Sequence, residues 1–110
     1  PVYRSWGLLY IEARNGDTFE SIAQEFGFSA KKLAGYNEVP RDYPLENGDI
    51  VYLEKKKKKA EKGYDYTVVR SGDSMHSIAQ RYGIRLKNLY KMNKLPDDYI
   101  PSVGDRLKLR

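Results

Sequence analysis

The sequence predicts an α+β fold built from two small βααβ units, each a two-stranded antiparallel sheet with two helices on one face. The main observation is an internal repeat: shifted by 56 residues, the span 10–53 aligns with 66–109 without a gap and with 18 identities over 44 positions. Alternating apolar residues at both ends of each copy indicate strands. Apolar residues at helical spacing in the middle of each copy indicate helices.

The strands are predicted where apolar residues occupy every second position, which is typical of a half-buried strand. The first strand of the second copy, the segment 66–70, shows this alternation only loosely. The first and last strands of one copy can pair antiparallel. The alternating residues are Leu9, Ile11 and Ala13, then Val51 and Leu53, and in the second copy Leu107 and Leu109.

Two short helices are predicted between these strands. The first has apolar residues at i, i+3, i+4 and i+7, which form one face of a helix, and Gly27 or Gly83 follows it as a helix stop. The second ends at Asn37 or Asn93, where an asparagine can close the helix or bond the following loop. The apolar faces are Phe19, Ile22, Ala23 and Phe26, and Met75, Ile78, Ala79 and Tyr82.

A Gly-Asp pair precedes the first helix of both copies. The glycine lets the chain turn out of the strand. Asp17 or Thr18, like the equivalent residues of the second copy, can cap the first turn of the helix. Glu20 lies three residues after Asp17, as in a capping box, and His76 takes that place in the second copy. Capping alone accounts for these residues.

Composition excludes several kinds of chemistry. There is no cysteine, which excludes disulfides, thiol catalysis and cysteine-ligated zinc. The only histidine is His76, which we expect at a solvent-exposed helix position and outside any metal site. Units of this size leave little room for a cleft flanked by two catalytic carboxylates beside a core. We therefore expect a non-catalytic chain with no cofactor and no metal, and no apolar run is long enough to span a membrane.

The net charge of +5 is unevenly distributed. Residues 1–53 hold 5 basic and 8 acidic residues, whereas residues 66–110 hold 9 and 4. We therefore divide the chain into a leader at 1–9, a first unit at 10–53, a lysine-rich linker at 54–65 and a second unit at 66–110. The like charges of the linker predict a solvated spacer, with a polyanion-docking patch as the alternative. Because the span 66–110 contains both strands and both helices, we expect it to fold alone.

Each copy combines a Gly-Asp turn, a Ser-Ile-Ala helix and a second Gly-Asp pair before its last strand. The stretch VVRSGDSMHSIAQRYGIRLKNLYKMN with the later VGDRLKL is similar to one LysM module, and ARNGDTFESIAQEFGFSAKKLAGYN with the later NGDIVYL is similar to another. The resemblance covers residues 10–53 and 66–110. It implies the βααβ fold, and it implies binding of polysaccharides that contain N-acetylglucosamine, mainly peptidoglycan and chitin.

The resemblance also implies a glycan groove between the loop after the first strand and the loop between the second helix and the last strand. An N-acetyl sugar needs hydrogen-bonding partners and an apolar wall, which Phe19 and Tyr43, or Met75, Tyr99 and Ile100, could supply. The alternative is that the aromatic residues and Met75 close a small core. The expected groove residues are Gly16, Asp17, Thr18, Phe19, Pro40, Arg41, Asp42 and Tyr43, and Gly72, Asp73, Ser74, Met75, Pro96, Asp97, Asp98, Tyr99 and Ile100.

The leading hypothesis is a pair of modules that bind peptidoglycan or other N-acetylglucosamine polymers without catalysis, and so target a parent protein to the bacterial cell wall. We expect a monomer that binds no nucleic acid and has no membrane span. We expect it in the cell envelope (periplasm or cell surface), as part of a longer exported protein such as a wall hydrolase. One alternative is nucleic-acid or polyanion binding through Lys55–Lys59 and the basic second unit. Another is a protein-interaction module with degenerate grooves.

Overall fold

The computed structural model describes all residues from 1 to 110 and divides them into two compact units, Pro1–Lys56 and Lys57–Arg110. The predicted α+β fold is confirmed. The first unit contains β1 (Tyr3–Ser5), β2 (Leu8–Glu12), α1 (Phe19–Phe26), α2 (Ala30–Tyr36) and β3 (Ile50–Tyr52). The second contains β4 (Tyr66–Val68), α3 (Met75–Tyr82), α4 (Leu86–Met92) and β5 (Arg106–Lys108).

The sheet of the first unit has three antiparallel strands in the order β1–β2–β3, one strand more than predicted. Strand β1 comes from the segment predicted as a leader, and Tyr3 lies opposite Tyr10 of β2. The two residues that connect these strands, Trp6 and Gly7, have positive φ values of 58° and 72°. Positive φ at both positions is the geometry of tight hairpins whose turn matches the strand twist. The repeat could not predict β1, because the strand lies outside the repeated span.

The two faces of this sheet differ in their side chains. Val51 faces the helices with Ile11, which is its partner in the ladder between β2 and β3. On the other face the ring of Tyr10 stacks on Tyr3 with centroids 5.4 Å apart and meets the edge of Tyr52 at 6.0 Å. Tyr52 is almost fully buried, and this burial raises its pKa to about 12.

Helices α1 and α3 begin with the same capping box. Thr18 is the N-cap of α1 and accepts a hydrogen bond from the backbone N–H of Ser21, whose hydroxyl accepts one from the N–H of Thr18 in return. Ser74 and Ser77 repeat this arrangement at α3. The expected capping box with Glu20 is wrong, because the N-cap lies one residue later than Asp17 and Ser21 occupies the third helical position.

Each unit has its own hydrophobic core between its helices and its sheet. The predicted helix faces pack inward, and Phe19 and Met75, the first residues of α1 and α3, belong to these cores. The first core contains Ile11, Ala13, Phe19, Ile22, Ala23, Leu33, Ala34, Val51 and Leu53. The second contains Ala60, Val69, Met75, Ile78, Ala79, Ile84, Leu89, Leu107 and Leu109.

An asparagine at the end of the second helix links that helix to the last strand in both units. The amide nitrogen of Asn37 donates to the carbonyls of Leu33 and Tyr52, and its oxygen accepts from the N–H of Tyr52 at 2.7 Å. Asn93 makes the equivalent bonds to Leu89 and Lys108. Each asparagine therefore closes its helix, as expected, and also satisfies backbone groups of the last strand rather than those of the following loop.

The lysine-rich segment 54–65 differs from the predicted solvated spacer. Lys56 is 1% exposed, its Nζ lies 2.6 Å from Oε1 of Glu38, and burial lowers its pKa although Glu38 opposes that shift. Lys57 forms a parallel bridge with Ile84, and Ala60 is buried in the second core. The segment is therefore a solvated spacer only in part: Lys55, Lys57, Lys58 and Lys59 are exposed, whereas Lys56 and Ala60 are each buried within their own unit.

The second unit has a two-stranded antiparallel sheet, β4–β5, as predicted. Tyr66 lies opposite Lys108, and the guanidinium carbon of Arg106 lies 4.1 Å from the centroid of the Tyr66 ring. The sheet thus carries exposed basic and aromatic side chains on its outer face. In neither unit is a helix both long and apolar enough to span a membrane.

Candidate functional site

The first unit contains an open groove of about 450 Å³ between the two predicted loops. One wall is the loop between β2 and α1, together with the first turn of α1. The other wall is the loop between α2 and β3. The lining residues are Gly16, Asp17, Thr18, Glu20, Arg41, Asp42, Tyr43, Pro44 and Leu45.

A hydrogen-bonded turn fixes the first wall. The N–H of Asp17 donates to the carbonyl of Arg14 at 3.0 Å, and Gly16 inside this turn has a φ of +84°, which favours glycine. Oδ2 of Asp17 accepts from the backbone N–H of Arg14 at 2.9 Å and from its guanidinium at 3.1 Å. Burial tends to raise the pKa of Asp17, but these hydrogen bonds outweigh it and hold the pKa below its ordinary value. The Asp17 carboxylate is thus already engaged within its own loop.

Thr18 places a hydroxyl at the groove. Its oxygen accepts from the N–H of Ser21 at 3.0 Å as the helix cap. A hydroxyl has one donor in addition to its acceptor lone pairs. The cap therefore leaves Thr18 a hydrogen that it can donate to a ligand oxygen.

A tight turn and an aspartate shape the second wall. The N–H of Tyr43 donates to the carbonyl of Pro40 at 3.0 Å, and the N–H of Glu46 donates to the carboxylate of Asp49 at 2.9 Å. The side chain of Tyr43 remains 43% exposed. An exposed ring on one wall of an open groove can pack against the face of a sugar ring.

The mouth of this groove carries one charge pair. Nε of Arg41 lies 4.0 Å from Oε1 of Glu20, and both side chains are at least 60% exposed. The pair joins the second wall to the first turn of α1. At this distance and exposure it is a weak interaction that a ligand can replace.

The structure brings most of the predicted residues of the first unit together. Phe19 is an exception, since it is 1% exposed and packs in the core, so its side chain forms no groove wall. Pro40 is exposed but does not line the groove. It is the first residue of the turn that places Tyr43 on the groove wall. Glu20 and Leu45 line the groove without having been predicted. Glu20 could have been inferred from its position in the first turn of α1, facing the loop.

The second unit repeats the first wall with a different ion pair. Asp73 accepts from the backbone N–H of Arg70 at 2.9 Å, and Arg81 on α3 lies 2.5 Å from its Oδ1. The hydrogen bond from Arg81 is the main reason that the pKa of Asp73 lies below its ordinary value. Gly72 has a φ of +84°, the same value as Gly16. The turn before the helix is therefore the same in both units.

The second wall of this unit differs in how its tyrosine is held. The hydroxyl of Tyr99 donates to the carboxylate of Asp105, and this bond raises the pKa of Tyr99 and lowers that of Asp105. Ile100 is 84% exposed. Met75 is 3% exposed and lies in the core, so the expectation that it forms a groove wall is wrong for the same reason as at Phe19. Pro96, Asp97 and Asp98 are exposed in the same loop as Tyr99.

His76 is half-buried, and it takes part in interactions within the structure, so the expected solvent-exposed position is wrong. No group of three or more histidines, cysteines and carboxylates in the chain is arranged to hold a metal ion.

Comparison with known proteins agrees with this arrangement. Residues 11–53 and 67–110 each match the LysM domain family. The membrane-bound lytic murein transglycosylase D of Escherichia coli is 34% identical over 87% of this chain and 22% of its own length. The cell wall-binding protein YocH of Bacillus subtilis is 28% identical over 82% of this chain and 30% of its own length.

Further relatives have the same pattern of partial coverage. The autolysin of Enterococcus faecalis is 28% identical over 89% of this chain and 15% of its own length. Among solved structures, the spore cortex-lytic enzyme SleL of Bacillus cereus aligns with a TM-score of 0.40 and 26% identity over 92% of this chain and 22% of that chain. The chain thus spans between 15% and 30% of the length of these curated relatives. The two family matches coincide with the two βααβ units and cover most of the residues, and the chain therefore belongs to the LysM family, whose domain is a non-catalytic binding module.

Proposed function

We propose that this chain binds polysaccharides containing N-acetylglucosamine, with peptidoglycan as the main ligand and chitin bound by the same chemistry. The groove of the first unit and the equivalent loops of the second unit are the binding sites. Binding attaches a parent protein to the bacterial cell envelope. The supporting observation is the groove that Gly16, Thr18 and Tyr43 line in the first unit.

The groove has the groups that a neutral N-acetyl sugar needs. The hydroxyl of Thr18 can donate to a sugar or amide oxygen, and the exposed ring of Tyr43 can cover an apolar face of the sugar. The carboxylate of Asp17 is held by Arg14, so it is not left unpaired when a ligand excludes water. The names of the relatives, which include a cell wall-binding protein and a lytic murein transglycosylase, support the same class of ligand.

The presence of two units in one chain increases retention on a repeating polymer. The groove of the first unit is small and open, so we expect it to bind a short oligosaccharide weakly, and we expect the same of the equivalent loops of the second unit. When one unit binds, the other meets the same polymer at a high effective concentration, which can raise avidity by roughly 10²–10⁴-fold. We therefore expect the whole chain to be retained on peptidoglycan far better than its affinity for a short oligosaccharide implies.

A sedimentation assay of the whole chain with purified insoluble peptidoglycan tests the proposal. We expect binding to change little between about 50 and 500 mM salt, because contacts with an uncharged sugar release few counterions. Tyr43→Ala should weaken binding, whereas Tyr64→Ala, at a tyrosine of similar exposure outside the groove, should not.

Two results would reject the proposal in favour of other functions. Loss of all binding at high salt, with retention of nucleic acid at low salt, would favour polyanion binding through the lysine-rich segment. That segment offers less accessible positive charge than its sequence suggests, because Lys56 is buried against Glu38. Failure of both peptidoglycan and chitin oligomers to shift any backbone resonance would favour a protein-interaction module.

A further inference from the structure

The charges at the groove of the first unit and at the equivalent loops of the second unit are not the same. In the first unit Arg41 lines the groove and lies 4.0 Å from Glu20. The residues 56 positions later are Asp97 in place of Arg41 and His76 in place of Glu20. Asp42 and its counterpart Asp98 are identical, so they do not distinguish the units. The second loop therefore reads Arg-Asp in the first unit and Asp-Asp in the second.

Arg41 is the cation that lines the first groove, and it is free to reorganise. Its side chain is 65% exposed, and its contact with Glu20 is at the limit of an ion pair. Asp17 is already engaged by Arg14, so it does not compete for Arg41. A guanidinium binds a carboxylate through two parallel hydrogen bonds, which is stronger than an exposed single contact. A carboxylate on a bound glycan could thus displace Glu20.

We propose that Arg41 makes the first groove selective for N-acetylglucosamine polymers that carry a carboxylate substituent. The second unit has Asp97 in that position and so lacks the guanidinium that would hold such a substituent. This inference rests on the proposed glycan binding and adds the class of ligand that the first groove takes. The carboxylate can come from an acidic sugar of the glycan strand or from a peptide attached to it.

Titration of the whole chain with short oligosaccharides, followed by backbone amide resonances, tests the inference unit by unit. Thr18 reports on the first groove and Ser74 on the second. Three probes are used: a neutral N-acetylglucosamine oligomer, a peptide-free oligomer with alternating N-acetylmuramic acid, and the same oligomer with its peptide. The first groove should bind the better of the two carboxylate-bearing probes about 5- to 10-fold more tightly than the neutral one. The second unit, which lacks this arginine, should show no such preference.

Three variants identify the responsible residue. The preference ratio is the affinity of the first groove for the better carboxylate-bearing probe divided by its affinity for the neutral probe. Arg41→Gln should reduce this ratio to about one. Glu20→Gln should raise it by roughly 2- to 5-fold, because Arg41 then has no competing partner. Arg4→Gln, at an exposed arginine of the same unit outside the groove, should change neither affinity. Comparison of the two acidic probes shows whether the sugar or the peptide supplies the carboxylate.

The possible failures are distinct. If no probe shifts Thr18 or Ser74, the proposed glycan binding is itself wrong. If all probes bind the first groove with equal affinity, or if Arg41→Gln leaves the preference ratio intact, glycan binding stands and the role of Arg41 is refuted. Glu20→Gln gives an independent check, because a lower ratio in this variant would also contradict the proposal.

Discussion

Replacement of Asn37 by alanine should destabilise the first unit more than any single surface change. The side chain of Asn37 makes three hydrogen bonds, to Leu33 O at 2.9 Å, Tyr52 O at 3.0 Å and Tyr52 N at 2.7 Å. It is 2% exposed, so water cannot replace the amide in the variant. Each lost bond costs about 0.5–1.5 kcal/mol, so the three bonds together predict a loss of roughly 1.5–4.5 kcal/mol. We expect the upper half of this range, because the N–H of Tyr52 is left buried without a partner.

Asn93 is the matched control for this prediction. It makes the same three hydrogen bonds to Leu89 and Lys108, but it is only half-buried and Lys108 is exposed. Water can solvate the freed groups in Asn93→Ala, so we expect a smaller loss of about 1 kcal/mol in the second unit. The difference between the two variants measures what burial adds to an otherwise identical network.

Native-state hydrogen exchange on the whole chain is the suitable assay. It reports the free energy of opening separately for amides in each unit, even where unfolding of the chain is not a single two-state transition. Core amides such as those of Ile22 and Ile78 serve as the reporters. Equal losses in the two variants, or a loss below about 1 kcal/mol in Asn37→Ala, would refute the reasoning that burial sets the cost.

Two further predictions concern the second unit. The fragment 57–110 should be more stable than the fragment 66–110 by roughly 2–4 kcal/mol of unfolding free energy. The shorter fragment lacks Ala60, which is buried in the core, and the backbone hydrogen bonds of 2.8–2.9 Å that residues 57–65 make. Equal thermal midpoints of the two fragments would contradict this. The pKa of Asp73 is lowered in the folded state, so the ionised carboxylate adds to the free energy of unfolding. This contribution is complete above about pH 4 and is lost as the pH falls through the folded-state pKa. Asp73→Asn should therefore flatten the fall in stability between about pH 4 and pH 2 in urea melts, and an unchanged acid limb would count against the Arg81 contact as its cause.

The repeat made the local structure of this chain predictable from sequence. Residues at helical and strand spacing decided which faces turn inward, since an apolar face must be buried against another element. Gly27 and Gly83 end their helices with φ values of 77° and 68°, as their type predicts. These features depend on neighbours within a few residues, which the sequence displays directly.

The identity of the groove residues was predictable only in part. The resemblance placed Thr18, Arg41 and Tyr43 at one site, and the structure puts all three on the lining of one groove. It also placed Phe19 and Met75 there, but both lie in the cores. The first residue of a helix can face either a ligand or the core, and the residues alone do not show which side the sheet occupies.

Contacts between distant parts of the chain needed the tertiary structure. The sequence by itself determined two βααβ units, their helix faces and the absence of cysteine chemistry. Only the folded chain decided that residues 3–5 add a strand, that Lys56 is buried against Glu38, and that Ala60 completes the second core. One lysine within a basic run and an isolated alanine carry no periodic pattern, so the burial of Lys56 and Ala60 depends on partners far along the chain, at Glu38 and Leu109.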